Sequence, residues 1–371
     1  MATLILAICG RRLAQSAKRA GADVIVADFF GDVDTRSLAP WYRLPGSLES
    51  GIDGEELLAW ARSLPERPSG IVYGAGFEAR PELLGELSRI APLIGNPPEV
   101  VATIKDPFEF ARLLQRLNLP HPEIASTPRP GIPWLRKRRG GSGGTHIEKA
   151  TALTTPAGSA HYFQVAAAGS PISALFVANG RASNVVGFSA QWTAPTPARP
   201  YRYGGCAGPV RLPPELVTEI EQACAAITEA SGLVGLNSMD MLVADETFTV
   251  LEVNPRPGAT LDVFDGPTGP SLWASHLAGV RGELPAPNAA HSPGARAATI
   301  LYADKERYVP TGFQWGSGIA DIPTPASRIL EGMPICTVIS AGPDADAARA
   351  LAERRAATIL DRLPVLLQQS A

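Results

Sequence analysis

At 371 residues the chain is long enough for two or three domains with separate apolar cores, at a norm of about 150 residues per domain. Its 45% apolar and 19% charged residues, with 36 Gly and 35 Pro, describe a loop-rich folded protein and exclude a disordered one. Lys plus Arg number 33 against 36 Asp plus Glu, and the net charge of −3 excludes an overall field for capturing nucleic acid or an anionic membrane.

The chain opens with an apolar run from Thr3 to Cys9, a helical pattern through Ala20 and a second run from Val24 to Ala27, which predicts strand, helix, strand and an α/β fold. Gly70 to Tyr73 is a further strand and Pro81 to Ile90 a helix, after which the Pro and Gly cluster from Pro92 to Pro98 marks a domain boundary. Between them, G-A-G-F-E-A at 74 to 79 fits a dinucleotide fingerprint. No acidic residue ends a following strand about 20 positions on, so a tight turn at a helix start is favoured over a nicotinamide-dependent oxidoreductase.

Asp106 before Pro107 predicts a capped helix with an apolar stripe ending before Pro120. Ile132 to Arg139 reads as a strand that carries Arg136, Lys137, Arg138 and Arg139 into Gly140, Gly141, Ser142, Gly143 and Gly144, with a strand resuming at His146 and Ile147. Such a loop can wrap backbone N–H groups around phosphate. It is not a Walker loop, and on its own a basic strand beside a glycine turn is more often a solvated edge. Strands follow at Tyr162 to Ala168, Ser173 to Ala178 and Asn184 to Gly187, then a helix from Pro213 to Ser231 closed by Gly232, and a last helix from about Ala345 to Leu363.

Gly235 to Val243 and Phe248 to Asn254 form a predicted hairpin. If Ala244 faces Phe248 across a three-residue loop, Asp240 lies opposite Glu252 and Asn254 shares their face. Carboxylates about 5 Å apart at their β-carbons are best explained by a cation between them, and oxygen-only ligands favour Mg²⁺ over zinc. In the other register Asp240 faces Leu251 and the hairpin is merely solvated. The cysteines Cys9, Cys206, Cys224 and Cys336 are scattered with no C-x-x-C. They read as free thiols of a cytoplasmic chain with neither disulfide framework nor structural zinc, and no apolar run approaches the roughly 18 residues of a bilayer span.

The order of these pieces resembles the ATP-grasp superfamily of carboxylate–amine ligases over most of the chain. The likeness rests on G-A-G-F-E at 74 to 78, I-G-N-P-P at 94 to 98, I-K-D-P at 104 to 107, Lys137 with G-G-S-G-G at 140 to 144, Tyr162 to Gln164, and above all M-D-M at 239 to 241 with L-E-V-N-P-R-P at 251 to 257. It implies an ATP-grasp fold behind an N-terminal Rossmann-like (pre-ATP-grasp) domain at 1–98. The ATP-grasp domain would span 99–371, with a mobile lid at about 124–186 and a metal-bearing core at about 187–340.

It further implies that Lys105 and Lys137 contact phosphates under a loop of Gly141, Ser142, Gly143 and Gly144, and that backbone groups near Gln164, Val165 and Ala167 take adenine. Asp240, Glu252 and Asn254 would hold Mg²⁺ (Mn²⁺ as an alternative), while Arg256, with Lys137, would act on the transferring phosphate. The implied partners are a small-molecule acid and amine, with no nucleic acid and no membrane, in a monomer or homo-oligomer. ATP and Mg²⁺ would drive ligation through an acyl phosphate. A loose likeness of the tail, 320 to 338, extends to ligases that add glutamate or a related acid during one-carbon coenzyme biosynthesis of the methanofuran and methanopterin type. An ATP-binding regulatory or scaffold protein is the alternative.

Two departures stand out. No acidic residue follows Gln164 to hold a ribose, so Ser170 or Ser173 is the expected substitute, and Lys137 precedes Arg138 where the family has proline. The aromatic and basic segment Tyr201 to Gly208 reads as a connector or as an acceptor-side wall that meets a carboxylate through Arg202. His146, beside the loop, has no evident partner.

Overall fold

A computed structural model describes residues 1–150, 158–266, 269–285 and 294–366. The N-terminal unit is a parallel four-stranded sheet in the order Trp41–Arg43, Val24–Asp28, Thr3–Leu6, Ile71–Tyr73. Leu4, Ile5 and Leu6 are wholly buried, as expected of a strand covered on both faces. The order reverses between Thr3–Leu6 and Ile71–Tyr73. Ligand crevices of open α/β sheets lie at such a point, outside the carboxyl ends of the strands. Residues 7–10 and 74–78 line it here.

Pro98–Lys105 is a helix that the punctuation reading missed, because Pro98 starts it; proline suits a first helical position, where no N–H is needed. Asp106 then caps Pro107–Arg116 by accepting from the amides of Phe108 and Glu109, both at 2.9 Å. Lys105 is therefore fixed at a corner between two helices.

An antiparallel sheet follows, ordered Ile124–Ala125, His161–Val165, Trp134–Arg138, Ile147–Lys149. Its last strand ends at Val165, so the expected lid to residue 186 is too long. Ser170–Asn179 and Ser183–Thr193 belong instead to an eight-stranded antiparallel sheet. That sheet runs Thr247–Asn254, Val234–Ala244, Ser170–Asn179, Ser183–Thr193, Tyr203–Gly208, Ala295–Tyr302, Pro334–Gly342, Ile319–Ala320. The helix Pro214–Ser231 buries Leu216, Ile220, Ala223, Cys224 and Ile227 against Phe176, Met239 and Val253, at roughly 1.5–3 kcal/mol for each large side chain. Gly232, at φ 75°, ends it in the left-handed conformation. Ala345–Arg362 covers the far end of the sheet. All four cysteines are free, and among the described residues no helix is long and apolar enough to cross a membrane.

Ionic and polar contacts fasten the N-terminal unit to the large sheet. Buried Arg11 donates to both oxygens of Asp262 (2.5 and 2.8 Å) and to Asp321 (2.9 Å). The amides of Asp321 and Ile322 in turn donate to Asp34. Asn96 of the I-G-N-P-P motif donates to Asn237 Oδ1 (2.8 Å) and the Pro255 carbonyl (2.9 Å) and accepts from Val234 N (2.8 Å). This asparagine ties the segment after the parallel sheet directly to the hairpin that carries Asp240 and Glu252.

Candidate active site

The hairpin brings Asp240 opposite Glu252, by a route other than the one expected. Its turn has two residues, Asp245 (φ 47°) and Glu246 (φ 64°), with Ala244 paired to Thr247 and Val243 to Phe248. That register would aim Asp240 at Leu251. A β-bulge at Leu251 absorbs one residue and restores the Asp240–Glu252 pair, re-aiming side chains as bulges do.

Around this pair the polar groups are dense. Asp240 accepts from Ser173 Oγ (2.6 Å), Gln191 Nε2 (3.2 Å) and Asn254 Nδ2 (3.0 Å). Glu252 accepts from Lys105 Nζ at 2.8 Å, and the same ammonium lies 3.3 Å from Asn254 Oδ1. Burial, reinforced by the charge of Glu252, pushes Asp240 up to about 6. Burial also acts upward on Glu252, but Lys105, with Lys137 behind it, outweighs burial and holds that carboxyl well below its usual range. The cluster thus calls for positive charge, which Lys105 supplies. Its side-chain ligands are all oxygen, which suits a hard cation such as Mg²⁺.

Lys137 lies on the lid strand Trp134–Arg138, 8% exposed. Burial lowers its pKa, with Glu252 opposing. Its neighbours are spent elsewhere: Arg136 pairs with Glu148 (2.7 Å), and Arg139 pairs with Asp106 (2.6 Å) and stacks over Phe108. The glycine loop closes the hairpin between Trp134–Arg138 and Ile147–Lys149, as read from sequence. It is wedged in place. A Cβ on Gly140 would drive into the Ala79 backbone, and one on Gly144 into the Tyr201 carbonyl; the Tyr203 amide donates to Gly143 O at 2.9 Å.

Lid and core enclose a cleft of about 530 Å³, mouth included, lined by Lys105, Gly141, His146, Tyr162, Gln164 and Glu252 among others. Burial takes His146 down to about 4, so the ring is neutral there. At the hinge Val165 N already donates to Glu123 O (3.0 Å) and Ala166 N to Pro133 O (2.8 Å). Among the described residues this leaves Ala167 as the hinge amide outside the lid's own network.

Arg256 donates through Nε to Glu78 Oε1 (2.8 Å) and points a terminal nitrogen at Asn254 Oδ1 (3.4 Å). Glu78, Gln191 and the buried Ser173 were not assigned here from sequence. Ser173 lies beneath Asp240, so it is not free to replace a ribose acid. Arg202 is not a carboxylate anchor: it donates to the Ala194 and Gly332 carbonyls and stacks over Tyr302, and Tyr203–Gly208 is an interior strand of the sheet. Elsewhere, Cys9, Asp32 and Asp321 bring ligand atoms within 4.8 Å of one another. Asp321 is already held by Arg11 and Thr337, so a metal there would have to displace a guanidinium.

Residues 104–260 match a family described as ATP-grasp domain. The chain carries an ATP-grasp domain. A search of curated proteins gave no significant match. Among solved structures the chain is similar to a single-chain, multi-domain long-chain acyl-CoA carboxylase (TM-score 0.72, 19% identity). That match covers 98% of this chain and 39% of the carboxylase, so the chain spans about two fifths of that protein's length. It is also similar to biotin carboxylase from Campylobacter jejuni (TM-score 0.73, 14% identity, 97% and 91% covered). A third likeness is to L-amino acid ligase from Bacillus licheniformis (TM-score 0.71, 13% identity, 100% and 99% covered). The fold is therefore the ATP-grasp fold behind an N-terminal α/β domain, as the resemblance implied.

Proposed function

We propose that the protein is an ATP- and Mg²⁺-dependent ligase that joins a carboxylate to an amine through an acyl phosphate, releasing ADP and phosphate. The observation that carries this reading is the convergence beside one cleft of an oxygen-only cation set, Asp240, Glu252 and Asn254, with Lys105 and Arg256. A scaffold would have no use for a bulge that turns two acids toward each other at such electrostatic cost.

In this reading Asp240, Glu252 and Asn254 hold Mg²⁺, which when bound neutralises phosphate charge. Lys105 exchanges Glu252 for phosphate oxygens, Lys137 adds a second ammonium, and the amides of Gly141, Ser142, Gly143 and Gly144 close over them. The backbone beyond Gln164 takes the adenine edge. A substrate carboxylate oxygen bonds to the γ-phosphorus as the bond to the bridging oxygen of ADP breaks, and Arg256 steadies the phosphoryl group in passage. The amine nitrogen then attacks the acyl carbon, loses its proton, and phosphate leaves. Phosphoryl transfer asks mainly for positioning and charge neutralisation, which these groups provide. The lid keeps water from the intermediate.

The likeness to an L-amino acid ligase makes amino acids the first acids to try. Glutamate with aromatic amines leads the set, in keeping with a role in coenzyme assembly. The test is ATP-dependent ADP formation across acid and amine pairs. Glu252→Gln should lower it by at least about a hundredfold without unfolding the chain; full activity in that variant rejects the metal role.

A further inference from the structure

The glycine turn after Ile71–Tyr73 has no place in the scheme above, and its resemblance to a dinucleotide fingerprint does not survive the geometry. Gly76, at φ 124°, donates its amide to Glu78 Oε2 at 2.7 Å. The turn thus surrounds a carboxylate of its own, which would repel a pyrophosphate. Glu78 Oε1 faces out of the turn and accepts from Arg256 Nε at 2.8 Å, across 178 positions of sequence.

We propose that Glu78 is the positioning residue for Arg256, so that the N-terminal domain sets the aim of the guanidinium acting on the phosphoryl group. The proposal rests on the ligase reading. Both oxygens of Glu78 are committed, one to its own turn and one to Arg256, so its carboxylate plane is fixed. Only 5% of the residue is exposed, and the bond is formed out of reach of competing water.

The two backbones are fixed by one network. Phe77, 1% exposed, packs edge-on against Tyr73. The Tyr73 hydroxyl donates to Asn96 O at 2.7 Å, and Asn96 Nδ2 donates to the carbonyl of Pro255, the neighbour of Arg256. With Nε taken by Glu78 and Nη1 donating to the Pro257 carbonyl at 3.3 Å, Nη2 of Arg256 is turned to Asn254, on the side where Asp240 and Glu252 lie. Burial acts upward on the Glu78 carboxyl, but Arg256, with Lys105 and the Gly76 amide, outweighs it and lowers its pKa.

Binding of Mg·ADP, with and without fluoroaluminate as a mimic of the phosphoryl group in flight, tests this independently of the acid and the amine. Wild type should bind the fluoroaluminate complex about a hundredfold or more tighter than Mg·ADP. Glu78→Gln keeps the shape and removes the charge. It should lose on the order of tenfold of that enhancement while its Mg·ADP affinity stays within about twofold, and Glu78→Asp should recover part of the loss. Combining Glu78→Gln with Arg256→Lys should add nothing to the effect of Arg256→Lys alone. Unchanged Mg·ADP affinity also certifies folding; if Glu78→Gln fails that criterion, Glu78→Asp carries the comparison. Equal enhancement in wild type and the Glu78 variant, or none in wild type, overturns the positioning role. Absence of Mg·ADP binding by wild type sinks the ligase reading itself.

Discussion

Lys105 occupies the position a cation would otherwise take, between Glu252 and Asn254. Two facing carboxylates in a sheet are mutually destabilising, so the resting protein needs this ammonium before any nucleotide arrives. Lys105→Met should cost on the order of tenfold in Mg·ADP affinity, since a charge-assisted contact to phosphate is lost; titration calorimetry reads the change, and an unaltered affinity removes Lys105 from the site. Asp240, Glu252, Asn254 and Lys105 were legible because family motifs and the alternation of one hairpin place them. Ser173, Gln191 and Glu78 were not. Their partners lie 67, 49 and 178 positions away, and each reads locally as an ordinary strand or turn residue.

The hairpin shows how one pairing can be reached through two different turns. Asp245-Glu246 has none of the glycine that marks a two-residue turn with positive φ at both positions, so a three-residue loop was the natural expectation. The chain adopts the tight turn and restores the pairing with the bulge at Leu251. Left-handed conformations cost non-glycine residues about 1–2 kcal/mol each, so Asp245→Asn with Glu246→Gly should raise stability by about 1 kcal/mol or more, visible as a higher urea midpoint at unchanged slope. The glycine loop makes the opposite demand. Gly144→Ala cannot keep its contact with the Tyr201 carbonyl, and the loop must lift. Faster exchange of the Tyr203 amide, which donates to Gly143 O, is the expected signature; an unchanged rate would mean the loop is not held there.

Across the whole molecule, the contacts that dock the N-terminal unit onto the large sheet could not be read from the sequence. They join residues far apart in sequence and depend on how helices pack. His276 illustrates the docking. Its Nδ1 accepts from Leu236 N (2.9 Å) and its Nε2 donates to Ile94 O (2.9 Å), so the buried ring must be neutral. Burial takes its pKa from 6.5 down to about 4. Between those values only the unfolded chain takes up the proton, so the stability His276 supplies is full above pH 6.5 and is lost as pH falls toward 4. The span corresponds to about 3 kcal/mol. Melting curves over that range should show a steeper loss for wild type than for His276→Asn; parallel slopes would contradict the assignment. Asn96→Ala should be costlier than most buried polar changes, at about 3 kcal/mol, because it strands Asn237 Oδ1, the Pro255 carbonyl and the Val234 amide together. Chemical denaturation measures it.

The pairing of Arg11 with Asp262 and Asp321 also bears on how the polypeptide is made. A ribosome emits the guanidinium some 250 and 310 positions before the two carboxylates to which it donates, so through most of translation the first domain has only the more distant Asp34, at 3.8 Å, to face that charge. Messages terminated before codon 262 should therefore yield products that proteases clear quickly, since neither carboxylate that Arg11 donates to has yet been made.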